Sequence, residues 1–287
     1  MSLSIIIPLI GAVALGTGTI LEKIILRKRK INIKLFQTTG FLAIILVMLP
    51  LLYFFWEFDT AALSTKNILI MFGVVTGSII ANILVFYAMK WEKITNIEPA
   101  RLVEPLFTIG LAIIFSFIFG EALFERNTKV IIPAMIAGVA LIFSHIKKHH
   151  LEFNKYFIAA IIGSFFFAFE LVLSRLILDF YSPITFYFIR STLVFLISFI
   201  IFQPHFSKLN SKIRWEILII GAIWVLFRVL VYYGYLNYGV IFTTLILMLG
   251  PVFIYLFAWK FLKEKISWRN LVAAGIIIAA VLYTLLG

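Results

Sequence analysis

The sequence predicts an all-α membrane protein of ten transmembrane helices arranged as two inverted five-helix repeats. Three observations predict it. The chain is too apolar for a soluble domain, its apolar runs have bilayer-spanning length, and its second half repeats the spacing of its first. Of 287 residues, 63% are hydrophobic and 13% charged, whereas soluble domains carry roughly 25% charged residues. Mean hydropathy is +1.10. Cysteine is absent, which excludes disulfides, thiolate metal sites and a cysteine nucleophile. The net charge of +12 falls mostly between the apolar runs. It therefore reads as membrane-orienting charge beside anionic headgroups, not as a nucleic-acid surface.

The first run covers about 4–26 and is closed by Arg27-Lys28-Arg29-Lys30. It is too long for the apolar core of a secretory signal and lacks a basic leader, so no cleavable signal is expected. Further runs follow at about 35–56, 67–89, 95–119 and 130–146. A basic, histidine-containing connector leads to runs at about 156–178, 183–203, 215–236, 240–262 and 270–286. Each approaches the ~20 residues that cross the hydrocarbon core as a helix, the form that satisfies its own backbone hydrogen bonds there. The loops are too short for a soluble catalytic domain.

Ala100-Arg101-Leu102-Val103-Glu104-Pro105-Leu106-Phe107 corresponds to Ile246-Leu247-Met248-Leu249-Gly250-Pro251-Val252-Phe253. Phe86-Tyr87-Ala88 matches Tyr232-Tyr233-Gly234 at the same offset, and Gly16 with Lys23 matches Ala168 with Arg175. The expected units are residues 1–145 and 156–287, joined by the connector 146–155. Five helices per repeat force the second repeat into the opposite orientation. Rocking two such halves around a midplane site is a transporter architecture. Connectors after the odd-numbered helices hold most of the Lys and Arg, which predicts that they lie in the cytoplasm and that both termini lie outside the cytoplasmic membrane.

These residues resemble the drug/metabolite transporter superfamily, EamA type. Each repeat opens with a Gly or Ala and a basic residue seven later. Each has a fourth helix with a proline, Pro105 or Pro251, followed by an acidic residue, Glu121 or Glu264. Each ends in a helix containing glycine, Gly138 or Gly275. The resemblance implies a ten-helix permease without enzymatic activity. Two departures stand out: the proline-to-glutamate spacing is one turn longer in the first half, and the family's second-helix arginine, Arg190 here, has no counterpart in Thr38-Thr39-Gly40. The small multidrug antiporters of that superfamily carry a membrane glutamate eight residues before the first-helix lysine. This chain has Leu15 and Phe167 there, which does not support that mode of cation export.

Charges inside a span are expensive, at least ~2.5–3.5 kcal/mol near its centre, and so mark function. Glu170 and Arg228 lie near mid-span and Arg190 two turns into its helix, while Glu98, Arg101 and Glu104 are spaced three apart. The triplet is either a self-neutralising ladder along one helix or a cavity face. Glu170 and Arg228 are either a buried pair that fixes packing or the polar wall of a substrate cavity. Arg offers a planar fork for a carboxylate. The repeat mate of Arg228 is Asn82, also polar. Trp224 and Tyr232 lie one turn to either side of Arg228 on the same face. The expected substrate-binding set is therefore Arg228, Trp224, Tyr232, Asn82, Glu170, Glu104, Arg190, Arg101 and Glu98. Glu170 is the expected proton-titratable carboxylate, with Glu104 next. Pro105 and Pro251 are expected kinks, as hinges or as static bends. Gly11, Gly16, Gly18, Gly73 and Gly77 are expected to permit close packing. Glu121, Glu125 and Glu264 read as interfacial; Glu22 and Lys23 lie near a helix end followed by a basic cluster, and Lys23 reads as a side chain snorkelling to the headgroups.

His145, His149 and His150 lack partners for a metal set and read as a solvated linker. No phosphate loop, zinc motif or nucleophile elbow occurs, so no cofactor is expected. The function read from the sequence is secondary transport of a small polar or amphipathic metabolite such as an amino acid. Its partners would be that substrate, the lipid bilayer and coupled protons or ions, with no nucleic acid. Export of organic cations, a non-transporting membrane subunit and a lipid-handling protein are the alternatives.

Overall fold

The computed structural model describes residues 3–28, 31–92, 97, 100–120, 127–145, 154–251 and 268–286. Among them are ten α-helices: α1 Leu3–Lys23, α2 Ile33–Phe55, α3 Thr65–Trp91, α4 Glu104–Phe119, α5 Thr128–His145, α6 Lys155–Leu178, α7 Pro183–Phe202, α8 Ser211–Tyr238, α9 Val240–Leu247 and α10 Trp268–Leu286. A π-helical turn, Ile24–Lys28, carries α1 further than its apolar run. Six of these helices, α2, α3, α6, α7, α8 and α10, are long and apolar enough to cross a membrane, and α4 and α5 are shorter apolar helices. Leu69, Phe72, Phe117, Phe143 and Ile200 face outward, more than half exposed. That is the surface a bilayer covers, and a contiguous apolar exterior of this extent is foreign to soluble monomers.

Short polar residues start the helices by accepting hydrogen bonds from first-turn amides that have no partner within the helix. Asn32 caps α2, Asn154 caps α6 through both Tyr156 and Phe157, Ser182 caps α7 and Asn210 caps α8. Gly239, at φ +85°, lets α8 turn directly into α9.

The fourth and ninth apolar runs are not continuous helices. The first breaks into turn at Leu102-Val103 before α4, with Pro105 in the first turn of the new helix. The second breaks at Met248-Leu249, after α9 and before Pro251. The two breaks occupy matching repeat positions. A proline cannot donate to the preceding turn, so the helix restarts around it.

In packing, α3 lies mainly on α6 and α1 on α8; α2 contacts α7 and α8, α4 contacts α6, α9 contacts α1, α4 and α5, and α5 pairs with α10. Glycines set the closest approach. A Cβ at Gly77 would lie 3.3 Å from that of Glu170, one at Gly73 would lie 3.0 Å from Leu173, and one at Gly163 would lie 2.7 Å from Val85. The α3–α6 seam is therefore a small-residue interface of the membrane type, and it carries α3 against α6 at the level of Glu170.

At one end of the bundle Lys90 Nζ donates to the Ile31 carbonyl at 2.9 Å, Lys23 Nζ donates to the Glu92 carbonyl and Asn154 donates to the Glu92 carboxylate. Lys34 and Lys155 lie over aromatic rings at this end. At the other end the α2–α3 and α6–α7 loops are tied together. The Asp59 amide donates to the Phe180 carbonyl, Ser182 N–H to Glu57 O, and Phe58 bridges Tyr181. Ser182 Oγ also donates to Phe55 O at 2.5 Å.

Candidate substrate site

Three helices of the second half and one of the first meet at a buried carboxylate. Glu170 of α6 is fully buried, and its Oε1 lies 3.0 Å from Arg190 Nη2 of α7 and 3.0 Å from Arg228 Nη2 of α8. Arg190 Nη2 also donates to Ser78 Oγ of α3 at 2.7 Å. Asn82, one turn along α3, donates to the Ser78 carbonyl at 2.7 Å. Gly77 is the residue before Ser78, and its missing side chain is what lets this strip of α3 reach the carboxylate. The Tyr187 ring lies against Arg190, and the Phe167 and Phe227 rings lie against Arg228.

The triad borders a cavity of about 70 Å³, measured as the space open to the centre of a water molecule. Its wall holds Glu22, Asn82, Arg101, Glu104, Arg190, Trp224 and Arg228, with Gln37, Tyr187 and apolar side chains between. Trp224 Nε1 donates to Glu22 Oε1 at 2.8 Å. Arg101 reaches toward Thr19 Oγ1 at 3.5 Å and Met89 Sδ at 3.8 Å. Glu104 has no ion-pair partner within 4 Å among the described residues. A second, larger cavity of about 150 Å³ adjoins the first, and Leu15, Arg101, Glu104 and Phe227 line both. Glu22, Phe36, Gln37, Val85, Phe86 and Gly221 place the first cavity in the lysine-rich half of the bundle. Away from it, Phe58, Tyr181, Phe186 and Tyr232 follow one another edge to face, with ring centroids 5.0–5.6 Å apart, from the tied loops to the triad.

The expected site residues separate into groups. Arg228, Trp224, Asn82, Arg190, Arg101 and Glu104 line the first cavity. Glu170 and Tyr232 line neither cavity; Glu170 holds the two arginines from behind, and Tyr232 is fully buried against Phe186 and Tyr187. Glu98 lies outside the described residues, as do Glu121, Glu125, Glu264, His149 and His150. The pairing of Arg101 with Glu104 along one helix is not formed, because the helix breaks between them. Pro105 and Pro251 line the second cavity.

The snorkelling reading of Lys23 is corrected, and Glu22, expected near a helix end, lies on the cavity wall. Glu22 is 6% exposed on the cavity wall, and Lys23 is 8% exposed, turned to the end of α3. The π turn after Lys23 extends the helix, so both residues sit deeper than the end of the apolar run suggests. Gln37 and Tyr187 were not anticipated either. A glutamine within an apolar helix, buried and donating to Ser198 across to α7, was the available signal for the first.

A bundle of apolar helices with charged side chains gathered inside it is a multi-pass membrane protein. The model of the EamA-like transporter family matches residues 154–286. The second half of the chain is therefore similar to the EamA-like transporter family. Among solved structures, a crystal structure of another protein superposes over 99% of this chain and 98% of that one at a TM-score of 0.66 and 14% identity. That likeness shows a shared fold along the whole chain. No curated protein sequence matches.

The triad yields a stability prediction. Glu170→Gln leaves two buried guanidiniums uncompensated and should cost about 3–5 kcal/mol. Replacing all three charges by apolar side chains (Glu170→Leu, Arg190→Met, Arg228→Met) should recover most of it. Thermal unfolding of the detergent-purified protein measures both, and an unaltered midpoint for Glu170→Gln would contradict the triad's role.

Proposed function

We propose that the chain is a secondary transporter that moves a small amphipathic metabolite by alternating access, and that the cavity beside the triad is its central site. One observation carries the reading: three guanidiniums and two carboxylates share the wall of one small cavity inside an otherwise apolar bundle. A scaffold has no use for that many desolvated charges. An intramembrane enzyme would need a clustered acid–base or metal constellation at one membrane face, and among the described residues no group of three metal-ligating side chains occurs.

The packing supports two inverted repeats of five helices, residues 1–145 and 156–287. Exchanging each helix for the one five later turns the α1–α8 contact into α6–α3 and the α9–α1 contact into α4–α6. The same exchange maps α2–α7 and α5–α10 onto themselves. The helix α1 runs toward the lysine-rich end, and its mate α6 starts there. By the positive-inside rule that end is cytoplasmic and both termini lie outside. A C-terminal fusion to a protein that fluoresces only in the cytoplasm should stay dark; bright cells would reverse the orientation.

The substrate reading follows from the chemistry of the wall. Arg228 presents a planar fork at the cavity, suited to a carboxylate. Glu104 and Glu22 supply the counter-charge for an amine. A zwitterion such as an amino acid satisfies both, where an organic cation would leave the arginines unanswered. Because Glu170 is committed to two arginines behind the wall, we assign any proton coupling to the wall carboxylates and not to Glu170. The paired helix breaks before Pro105 and Pro251 are the positions at which the two halves flex.

Arg228→Lys keeps the charge and loses the fork. In proteoliposomes screened with labelled amino acids, nucleobases and organic cations, the parent should accumulate a zwitterion. The variant should do so at least ~10-fold more slowly, about 1.4 kcal/mol of lost interaction, at an unchanged melting temperature. Accumulation of organic cations alone, equal in parent and variant, would refute the reading.

A further inference from the structure

We propose that the second cavity is an apolar subsite that takes a ring-sized group of the substrate. The transported molecule would then have a charged head in the first cavity and an aromatic or similarly bulky tail in the second. The inference rests on the transporter reading above and deepens it.

The two cavities differ in size and chemistry. The first, at about 70 Å³, holds a carboxylate or an ammonium group with a few waters, given that one water needs roughly 10–15 Å³ on this measure. It cannot enclose a bulky substrate. The second, at about 150 Å³, matches the roughly 150 Å³ of an apolar protein cavity that stays dry and binds benzene. Leu141, Leu171, Val231, Leu247 and Met248 line it. Of its hydroxyls, that of Thr108 is spent on the Glu104 carbonyl at 3.0 Å. Its charged residues, Arg101 and Glu104, are the ones it shares with the first cavity. Charge therefore marks the boundary between the cavities, and a mainly apolar surface, interrupted by Tyr235 and Thr244, the far side.

The helix breaks build this space. Leu102 and Met248, the first residues of the two breaks, both line it, and so do Pro105 and Pro251. A tail seated here touches both broken helices, one from each half of the chain. The group that fills the subsite thus lies against the segments whose bending the transport cycle requires.

The test measures thermal stabilisation of the purified full-length protein by four probes: phenylalanine, phenethylamine, 3-phenylpropionate and alanine. Phenylalanine should stabilise at a concentration at least ten-fold lower than alanine. Thr108→Phe or Thr244→Phe, which puts a ring into the cavity, should abolish that preference. Leu141→Ala should widen the cavity and move the preference from phenylalanine to tryptophan, and it tests the subsite even where an inserted ring prevents folding. Equal stabilisation by alanine and phenylalanine, untouched by Leu141→Ala, would overturn the subsite and leave the charged site standing. Equal stabilisation by phenylalanine and phenethylamine would keep the subsite and remove the carboxylate contact of Arg228 from the reading above. No stabilisation by any of the four would overturn both.

Discussion

The ion triad at Glu170 is the constraint to which the rest of the site is fitted. A carboxylate in the interior of an apolar bundle is tolerable only when cations meet it, and two do, from two different helices. Each of those cations must in turn be brought to the carboxylate by its helix. Gly73, Gly77 and Gly163 draw α3 onto α6 so that Ser78 can take a hydrogen bond from Arg190. Arg228 is met by the same carboxylate, and the rings of Phe167 and Phe227 lie against it on the cavity wall. With one negative charge answering two positive ones, the triad leaves the cavity wall short of anions, and Glu22 and Glu104 supply them. Burying such a set has little value for stability, because an apolar replacement packs as well without the desolvation penalty. On the transporter reading proposed above, its value would lie in a rigid, charged surface where a polar solute exchanges its hydration shell for protein groups.

The asymmetry between the halves follows from the same set. At the repeat-related positions the second half has Glu170 and Arg228, and the first half has Gly18 and Asn82. Gly18 has its own task, since a Cβ there would lie 3.4 Å from the Trp224 ring. The first half instead contributes Glu22, Arg101 and Glu104. The two halves thus carry different charges to the first cavity: Arg190 and Arg228 from the second, and Glu22, Arg101 and Glu104 from the first. The two proline-associated breaks are, by contrast, shared by both halves, and both line the second cavity.

Much of this was legible in the sequence. For eight of the ten runs helix positions followed from run length, with observed ends within a few residues of the expected ones, because in a bilayer an apolar run of that length has one stable backbone form; the fourth and ninth runs are interrupted by turns. Pro105 and Pro251 marked the breaks, although the turns that precede them do not follow from proline alone. Arg228, Arg190 and Glu170 stood out as costly charges. A buried pair of Glu170 with Arg228 was one of two expectations, but the joining of Arg190 was not anticipated, since nothing along a chain states which helix lies beside which. Glu22 was not singled out as a site residue for a similar reason. Its depth was read from where hydrophobicity ends, whereas the helix continues through a π turn into the basic cluster. Tyr232 shows the limit of helical periodicity: one turn from Arg228 is the right face, but not the right depth relative to a cavity that ends at the arginine.

Alternating exposure of the cavity is the central claim, and the absence of cysteine from the chain makes it directly measurable. Gly40 lines the first cavity, and a side chain added there meets no atom within 4 Å. In oriented proteoliposomes, Gly40→Cys should react with a charged, membrane-impermeant methanethiosulfonate whether the reagent is applied outside or sealed inside, and an occupying substrate should slow both reactions. Modification from one side only, whatever the substrate gradient, or from neither side, would contradict the account.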